Sequence, residues 1–358
     1  MADIALHEVT KIFGAHKAVD RLSLDLKDGE FFVLLGPTGA GKTTTLRLIA
    51  GLEKPDGGSL SIAGRDAAEL SVAERDVAMV FQYYSLYPRY DVRENLAFPL
   101  KAVRGRYSPE EIEERITKAA RMLRIDHLLD RKTDKLSGGE MQRVSIGRAI
   151  VREPSIFLMD EPLSNLDAKL RELLRSELKE LQIQLKGTFL YVTHDQIEAM
   201  SMGDRIGILE EGRIIQVGTP HEIYHSPHNT FVASFVGSPA MNLLPATVSD
   251  GTLAIDGAFD LDLTEAGRAR LGAAAGPVTV GIRSEDVHLA DEGPKAVVYH
   301  IENQGVEKIV TLRSGKSLFK ATTPATRAVK VDDEVAFVWD QGKLHGFDRE
   351  SGINLRRG

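Results

Sequence analysis

Cysteine is absent from the 358 residues of the chain. Its absence excludes disulfides, thiolate metal centres and cysteine nucleophiles, and it suits a reducing compartment. Long apolar runs are missing too. With no stretch of about 18 consecutive apolar residues, no helix is expected to span a bilayer. The opening MADIALHEVT carries acidic residues early and no apolar core, which argues against a secretory leader. Nor is there a basic surplus: 45 Lys+Arg stand against 52 Asp+Glu, a net charge of −7. A broad nucleic-acid surface needs a basic face, so that class of partner is set aside. The remainder, 42% apolar and 27% charged, is the composition of globular domains with a real core, and the length suggests two of them.

As far as residue 235, short apolar runs alternate with helical stretches. Phe31–Leu35, Ser155–Asp160, Thr188–Thr193 and Arg205–Leu209 read as strands of a parallel sheet covered on both faces. Helices are expected over Lys42–Ala50, Ala168–Lys186 and Gln196–Met202. Between the first two strands, at about residues 85–155, a helical lobe is expected to be inserted. Ser108 and Glu111 form a capping box opening one of its helices, which runs to about Arg124, and Met141–Val151 forms another. Residues 236–358 change texture: Gly and Asp turns separate short runs such as Val278–Ile282, Ala296–Ile301, Lys308–Leu312 and Glu334–Trp339, which suggests a small barrel or sandwich. The boundary is placed near Gly237–Pro239.

Gly36-Pro37-Thr38-Gly39-Ala40-Gly41-Lys42-Thr43 fits G-x-x-x-x-G-K-[ST], after an expected strand and before an expected helix. Backbone N–H groups of such a loop turn inward on phosphate oxygens, aided by the helix N-terminus. Lys42 supplies a cation for the β- and γ-phosphates, and the Thr43 hydroxyl a ligand for Mg²⁺; Thr44 continues the phosphate-facing first turn. The loop defines a nucleoside-triphosphate site but does not separate kinases, GTPases and motor ATPases. At the end of a buried strand, Asp160 is placed to hold Mg²⁺ and Glu161 to polarise a water. His194 follows another strand at the same sheet edge, where a neutral imidazole N–H could sense the γ-phosphate.

Leu136-Ser137-Gly138-Gly139-Glu140 places a second anion-binding helix start in the chain. Two such ends and one set of phosphates are reconciled by a head-to-tail homodimer, each ATP lying between one chain's Lys42 loop and the other's Ser137 turn. With these motifs the sequence resembles an ATP-binding cassette (ABC) transporter ATPase of the sugar-importer group, of the maltose and glycerol-3-phosphate type. Nearly the whole chain takes part, through segments such as RDVAMVFQYYSLYPRYDVRENLAFPLK, FLMDEPLSNLDAKLR and VGIRSEDVHL. The resemblance implies an α/β P-loop NTPase core with a helical subdomain and a C-terminal all-β, OB-like (TOBE/MOP-type) regulatory domain.

It further implies that Gln82 reports the γ-phosphate and Mg²⁺ to the membrane partner, that Asp167 couples the two sites of the dimer, and that Phe13 stacks on adenine. Two transmembrane permease subunits, an indirect external solute-binding protein and a peripheral position on the cytoplasmic face of the inner membrane are the implied setting. The aromatics Phe81, Tyr83, Tyr84, Tyr87 and Tyr90 would line a groove for a permease helix. Glu140 departs from the usual Gln of the signature. Pointed inward it would repel phosphate by ~1 kcal/mol or more, so it is expected to face the ribose or a cation.

The resemblance favours carbohydrate-type cargo, with polyamine or inorganic-anion cargo as the alternative, because the permease and its external binding protein choose the cargo. A soluble cassette ATPase acting on nucleic acid or ribosomes fits less well, because no long coiled coil separates Lys42 from Ser137 and only one cassette is present. A P-loop kinase leaves Ser137–Glu140 and His194 unexplained. His221-Glu222-Ile223-Tyr224-His225 matches the zinc motif H-E-x-x-H, but it is read as a short packing helix.

Overall fold

The computed structural model describes residues 3–103, 105–272 and 275–356. They form two compact units that divide after Pro220. Among them, no helix is long and apolar enough to cross a membrane.

In the first unit the strands are β1 (Ile4–Phe13), β2 (His16–Leu26), β3 (Phe31–Leu35), β4 (Gly57–Ile62), β5 (Arg65–Asp66), β6 (Val77–Val80), β7 (Ile156–Asp160), β8 (Thr188–Thr193), β9 (Arg205–Glu210) and β10 (Arg213–Gly218). The helices are α1 (Lys42–Ala50), α2 (Val92–Lys101), α3 (Pro109–Met122), α4 (Gly138–Ile150), α5 (Ala168–Leu185) and α6 (Gln196–Met202). A six-stranded sheet runs β10-β9-β3-β8-β7-β6, and β9, β3, β8, β7 and β6 are mutually parallel. Every residue of β3, β7 and β8 is buried, which is why these strands read as unbroken apolar runs. In this order β8 lies between β3, which feeds the phosphate loop, and β7, which ends in the two carboxylates. The C-terminal ends of the three strands therefore converge on one edge.

A second sheet, β2-β1-β4-β5, is antiparallel. In β2, buried Leu22, Leu24 and Leu26 alternate with exposed Arg21, Ser23 and Asp25, whereas β1 shows no such alternation through its middle. The helical lobe holds α2, α3 and α4, each opened by a capping box: Asp91 with Glu94, Ser108 with Glu111, and Ser137 with Glu140. Helix α4 begins at Gly138, ahead of the expected Met141. The first N–H groups of a helix lack intrahelical partners, so the Gly138–Gly139 pair sits where its poor propensity matters least. At Gly147 a side chain would collide with Leu96, so the glycine lets α4 approach α2 closely.

The second unit contains α7 (Pro220–His225), α8 (Thr230–Phe235) and α9 (Glu265–Leu271). Its strands are β11 (Asn242–Ser249), β12 (Thr252–Ile255), β13 (Asp260–Asp262), β14 (Gly276–Ile282), β15 (Val287–Asn303), β16 (Glu307–Ser314), β17 (Ser317–Pro324), β18 (Glu334–Trp339) and β19 (His345–Asp348). They form antiparallel sheets β13-β12-β11-β14-β19 and β17-β16-β15-β18, around a core that includes Val280, Val298, Phe319 and Phe337. The division after Pro220 falls before the expected boundary at residues 235/236. Helices α7 and α8 pack with the C-terminal strands because buried Arg283 donates to the carbonyls of Tyr224 and Val236 at 2.8 and 2.5 Å.

Candidate nucleotide site

The phosphate loop leaves β3 at Gly36 and enters α1 at Lys42. Gly41 caps the helix with φ of 104°, a left-handed conformation suited to glycine. A Cβ there would lie 2.2 Å from the Ala18 carbonyl oxygen, and one on Gly36 would lie 2.3 Å from that of Leu209. Both positions are closed to any larger residue. Lys42 is buried, and its Nζ donates to the carbonyls of Gly36 and Pro37 at 2.9 and 3.0 Å.

The end of β8 ties the other parts to this loop. Gly36 N donates to the Thr193 carbonyl, and Glu161 N to that of Val192 at 3.0 Å. Glu161 itself has φ of 44°, unusual for a non-glycine residue and of the kind that gathers at functional sites. Its Oε1 lies 3.4 Å from Lys42 Nζ, and its Oε2 lies 3.0 Å from His194 Nδ1. A carboxylate only accepts, so Nδ1 carries the proton in this contact. The neutral ring then presents a lone pair at Nε2 rather than the N–H expected to sense a phosphate; donation there requires the imidazolium.

Asp160 is buried and accepts a hydrogen bond from the Thr43 hydroxyl at 2.9 Å. Burial pushes its carboxyl above the usual range, opposed by the Thr43 bond and reinforced by the charge of Glu161. A hydroxyl and a carboxylate converging at a loop of phosphate-binding type are hard oxygen donors, which suits Mg²⁺. Gln82 follows β6; its Nε2 lies 3.4 Å from Ser164 Oγ, and its carbonyl accepts from Asn165 Nδ2 at 2.9 Å. Phe13, Thr38, Gly39, Gly41, Lys42, Thr43, Thr44, Gln82, Glu161 and His194 line one cleft of about 530 Å³, together with His16 and Ala18. Phe13 is 45% exposed at the end of β1, and Lys11 Nζ stands 5.1 Å from its ring centroid.

Ser137, Gly138, Gly139, Glu140 and Asp167 are not among the residues lining this cleft. Ser137 N-caps α4, and Glu140 folds back on it, accepting from Ser137 N at 2.7 Å and from its hydroxyl at 2.9 Å. Arg131 Nη1 stands 3.7 Å from the other oxygen. The Ser137 backbone bond holds the Glu140 carboxyl below the ordinary range, against desolvation and with help from the Ser137 hydroxyl and Arg131. Asp167 N-caps α5, accepting from Leu170 N at 3.0 Å. Tyr87 clusters with Tyr90 and Phe98, at 5.6 and 4.3 Å between centroids, with the Arg148 guanidinium 4.5 Å above the Tyr87 ring. Tyr83 is 73% exposed.

Some supporting residues carry no motif. Glu198 is 2% exposed and accepts from the Tyr191 and Thr193 hydroxyls at 2.9 and 2.6 Å, bracing the strand end that presents His194. Burial pushes its carboxyl up, with the two hydroxyl bonds opposing. His16 stands across the hairpin from Phe13 with nothing in the sequence to mark it. In α7 the rings of His221 and His225 lie 4.4 Å apart, and among the described residues no group of three His, Asp or Glu is placed to hold a metal.

A glycine loop under a helix start, a buried lysine and two carboxylates at a parallel sheet's edge define a P-loop nucleoside triphosphatase. Residues 19–164 match the family described as ABC transporter, 237–287 the MalK OB fold domain and 280–347 the TOBE domain. The trehalose/maltose import ATP-binding protein MalK of Thermococcus litoralis is 47% identical, covering 98% of this chain and 99% of its own. The sn-glycerol-3-phosphate import ATP-binding protein UgpC of Ruegeria pomeroyi is 44% identical, with 99% of each chain covered. A dimeric ATP-binding cassette, MJ0796, solved in a post-hydrolysis state with ADP and Pi, superposes with a TM-score of 0.54. It is 33% identical and covers 61% of this chain and 98% of its own. The chain belongs to the import ATP-binding proteins of ABC transporters, ATP-hydrolysing subunits that work with membrane permease subunits.

Proposed function

We propose that this ATPase powers uptake of a carbohydrate-type solute. The cargo class rests on relatives named for maltose, glycerol phosphate and sulfoquinovosyl glycerol, alike over nearly the full chain. The hydrolytic reading rests on one observation above all: Glu161 bridges Lys42 and His194 at the sheet edge. The phosphates of ATP lie on the loop N–H groups of Gly39, Gly41, Lys42 and Thr43, with the Lys42 side chain on the β- and γ-phosphates and the Phe13 ring under adenine. Thr43 and Asp160, with Gln82, would hold Mg²⁺, which screens phosphate charge when bound. Glu161 takes the proton of the attacking water, and His194 holds the Glu161 carboxylate in register. Most of the rate enhancement comes from positioning and charge, as in phosphoryl transfer generally.

Two copies close head to tail, so that Ser137, Gly138 and Gly139 of one meet the ATP of the other, with Asp167 beside the joint. Gln82 and the Tyr87–Tyr90–Phe98 cluster meet two permease subunits, peripherally, at the cytoplasmic face of the inner membrane; an external binding protein delivers the solute. The test is reconstitution. The chain co-purified with two hydrophobic permease subunits in proteoliposomes should show ATPase activity stimulated by a sugar. Failure to associate with any permease pair would exclude the transporter role, and stimulation only by a polyamine or inorganic anion would overturn the cargo class.

A further inference from the structure

The second unit contains a cavity of about 640 Å³ that has no part in nucleotide chemistry. It opens between the end of α7, α9, the start of β19 and the C-terminal segment. Its charged and titratable lining is entirely of one kind: Arg270, Arg356, His225, His228 and His345, with no carboxylate. The tail is stitched in place. Asn354 donates through Nδ2 to the Pro227 carbonyl and through N to that of His228, both at 2.9 Å, and Leu355 N reaches the Gly346 carbonyl at 2.9 Å. These bonds hold Arg356 at the mouth. Arg270 is fixed by its Nε, which donates to the Leu344 carbonyl at 3.0 Å.

Among the described residues neither arginine forms an ion pair, although the chain as a whole is acidic. Burial and then the Arg356 charge lower the Arg270 guanidinium's affinity for its proton, with Asp286 and Asp340 only partly compensating. Two guanidiniums that repel across a concave surface are destabilising unless an anion joins them. An adjoining cavity of about 340 Å³ shares His225, Arg270 and His345 and adds Arg283, Lys343 and one acid, Asp286. His345 reports the same field: burial, then Arg270, Arg283 and His225, push its imidazole down to about 4.

We propose that this cavity binds a small phosphate-bearing metabolite, with Arg270 and Arg356 gripping the phosphate and the remaining volume receiving a polar body such as a sugar ring. Guanidinium forks match phosphate oxygens two at a time, which a lysine pair does not do. The volume is that of ordinary small-molecule sites, and a concave wall suits a metabolite better than a flat acidic protein face.

The experiment is calorimetric titration of the full-length protein with glucose 6-phosphate, inorganic phosphate and glucose. It is repeated in Lys42→Ala so that binding at the nucleotide loop is removed. Glucose 6-phosphate should bind in both backgrounds and glucose in neither. Arg356→Gln, whose side chain is exposed, should weaken binding at least about tenfold without changing the melting temperature. Arg270→Lys, which keeps the charge and loses the fork, should weaken it as well. The His345 imidazole, followed by NMR, should titrate higher when ligand is present, because a nearby anion favours its charged form. Binding of inorganic phosphate alone, with the same arginine dependence, would assign the site to free phosphate. Affinity unchanged in Arg356→Gln, binding lost in Lys42→Ala, or no heat with either phosphate at millimolar concentration would each overturn the proposal.

Discussion

His194 Nδ1 lies 3.0 Å from Glu161 Oε2, while the other oxygen of the same carboxylate faces Lys42 Nζ at 3.4 Å. One acid thus joins the strand end that carries the histidine to the loop that takes the phosphates. Glu161→Gln keeps the size and can still accept from Nδ1, but it cannot take a proton from water. It should bind Mg-ATP and dimerise, and hydrolyse at least about 100-fold more slowly. Single-turnover kinetics and nucleotide titration check this; normal turnover would remove Glu161 from the role of base.

Asp160 is a stability liability placed for function. Its folded carboxyl binds a proton more readily than the unfolded one because burial penalises the anion. The folded state therefore gains stability as pH falls through the folded value towards the unfolded one, and loses that contribution at neutral pH. Asp160→Asn, which can still accept from Thr43, should raise the melting temperature by about 2–4 °C. It should also abolish Mg²⁺-dependent hydrolysis. An unchanged or lower melting temperature would show that the burial penalty is already offset.

Glu140 faces its own helix start and Arg131, so the repulsion expected of an acid in the signature does not arise within the chain. Glu140→Gln can keep the capping bonds and should change apparent ATP affinity less than about threefold. Glu140→Ala breaks the box and should cost about 1 kcal/mol in denaturant unfolding. The folded carboxyl is held low, so the stability it provides is present above the unfolded value and is lost as pH falls through the folded one. A large gain in ATP affinity for Glu140→Gln would show that the acid does turn inward when the chains pair.

Glu198→Ala strands the hydroxyls of buried Tyr191 and Thr193 and should destabilise by about 2–4 kcal/mol, measured in urea. Glu198→Gln can accept from both and should recover most of it. If the two variants behave alike, the hydrogen bonds are not what holds that strand end.

The nucleotide loop, the acidic strand end and the buried parallel strands are legible in the sequence because each is contiguous: a short run with its strand, turn or helix signals within it or directly beside it. The antiparallel sheet is legible only in part: Leu22, Leu24 and Leu26 of β2 alternate with exposed Ser23 and Asp25, but β1 gives no such signal. In β1 the register slips between Leu6 and Val9, leaving His7 and Glu8 both exposed, so the alternation that marks a strand is broken in the middle. Glu198 reads as a solvated helix charge, since its hydroxyl partners lie on the preceding strand rather than at helical spacing. The limit of the first unit is hidden for a related reason. Helices α7 and α8 look like the tail of the cassette, and long-range bonds tie them to the C-terminal part: those of Arg283, the Tyr224 hydroxyl on Glu285, and Thr230 N on the Gly352 carbonyl.

Gly41 sits against the Ala18 carbonyl, and Ala18 belongs to the strand that turns back from Phe13 through His16. With adenine placed on Phe13 as proposed, the same hairpin gauges the nucleotide at both extremities, offering a ring at one end and backing the phosphate loop at the other. A change in the length of that turn would alter the span between base and phosphates without touching a single phosphate-binding residue. On that placement, selectivity among nucleotides becomes a property of the hairpin's reach as much as of the loop's chemistry.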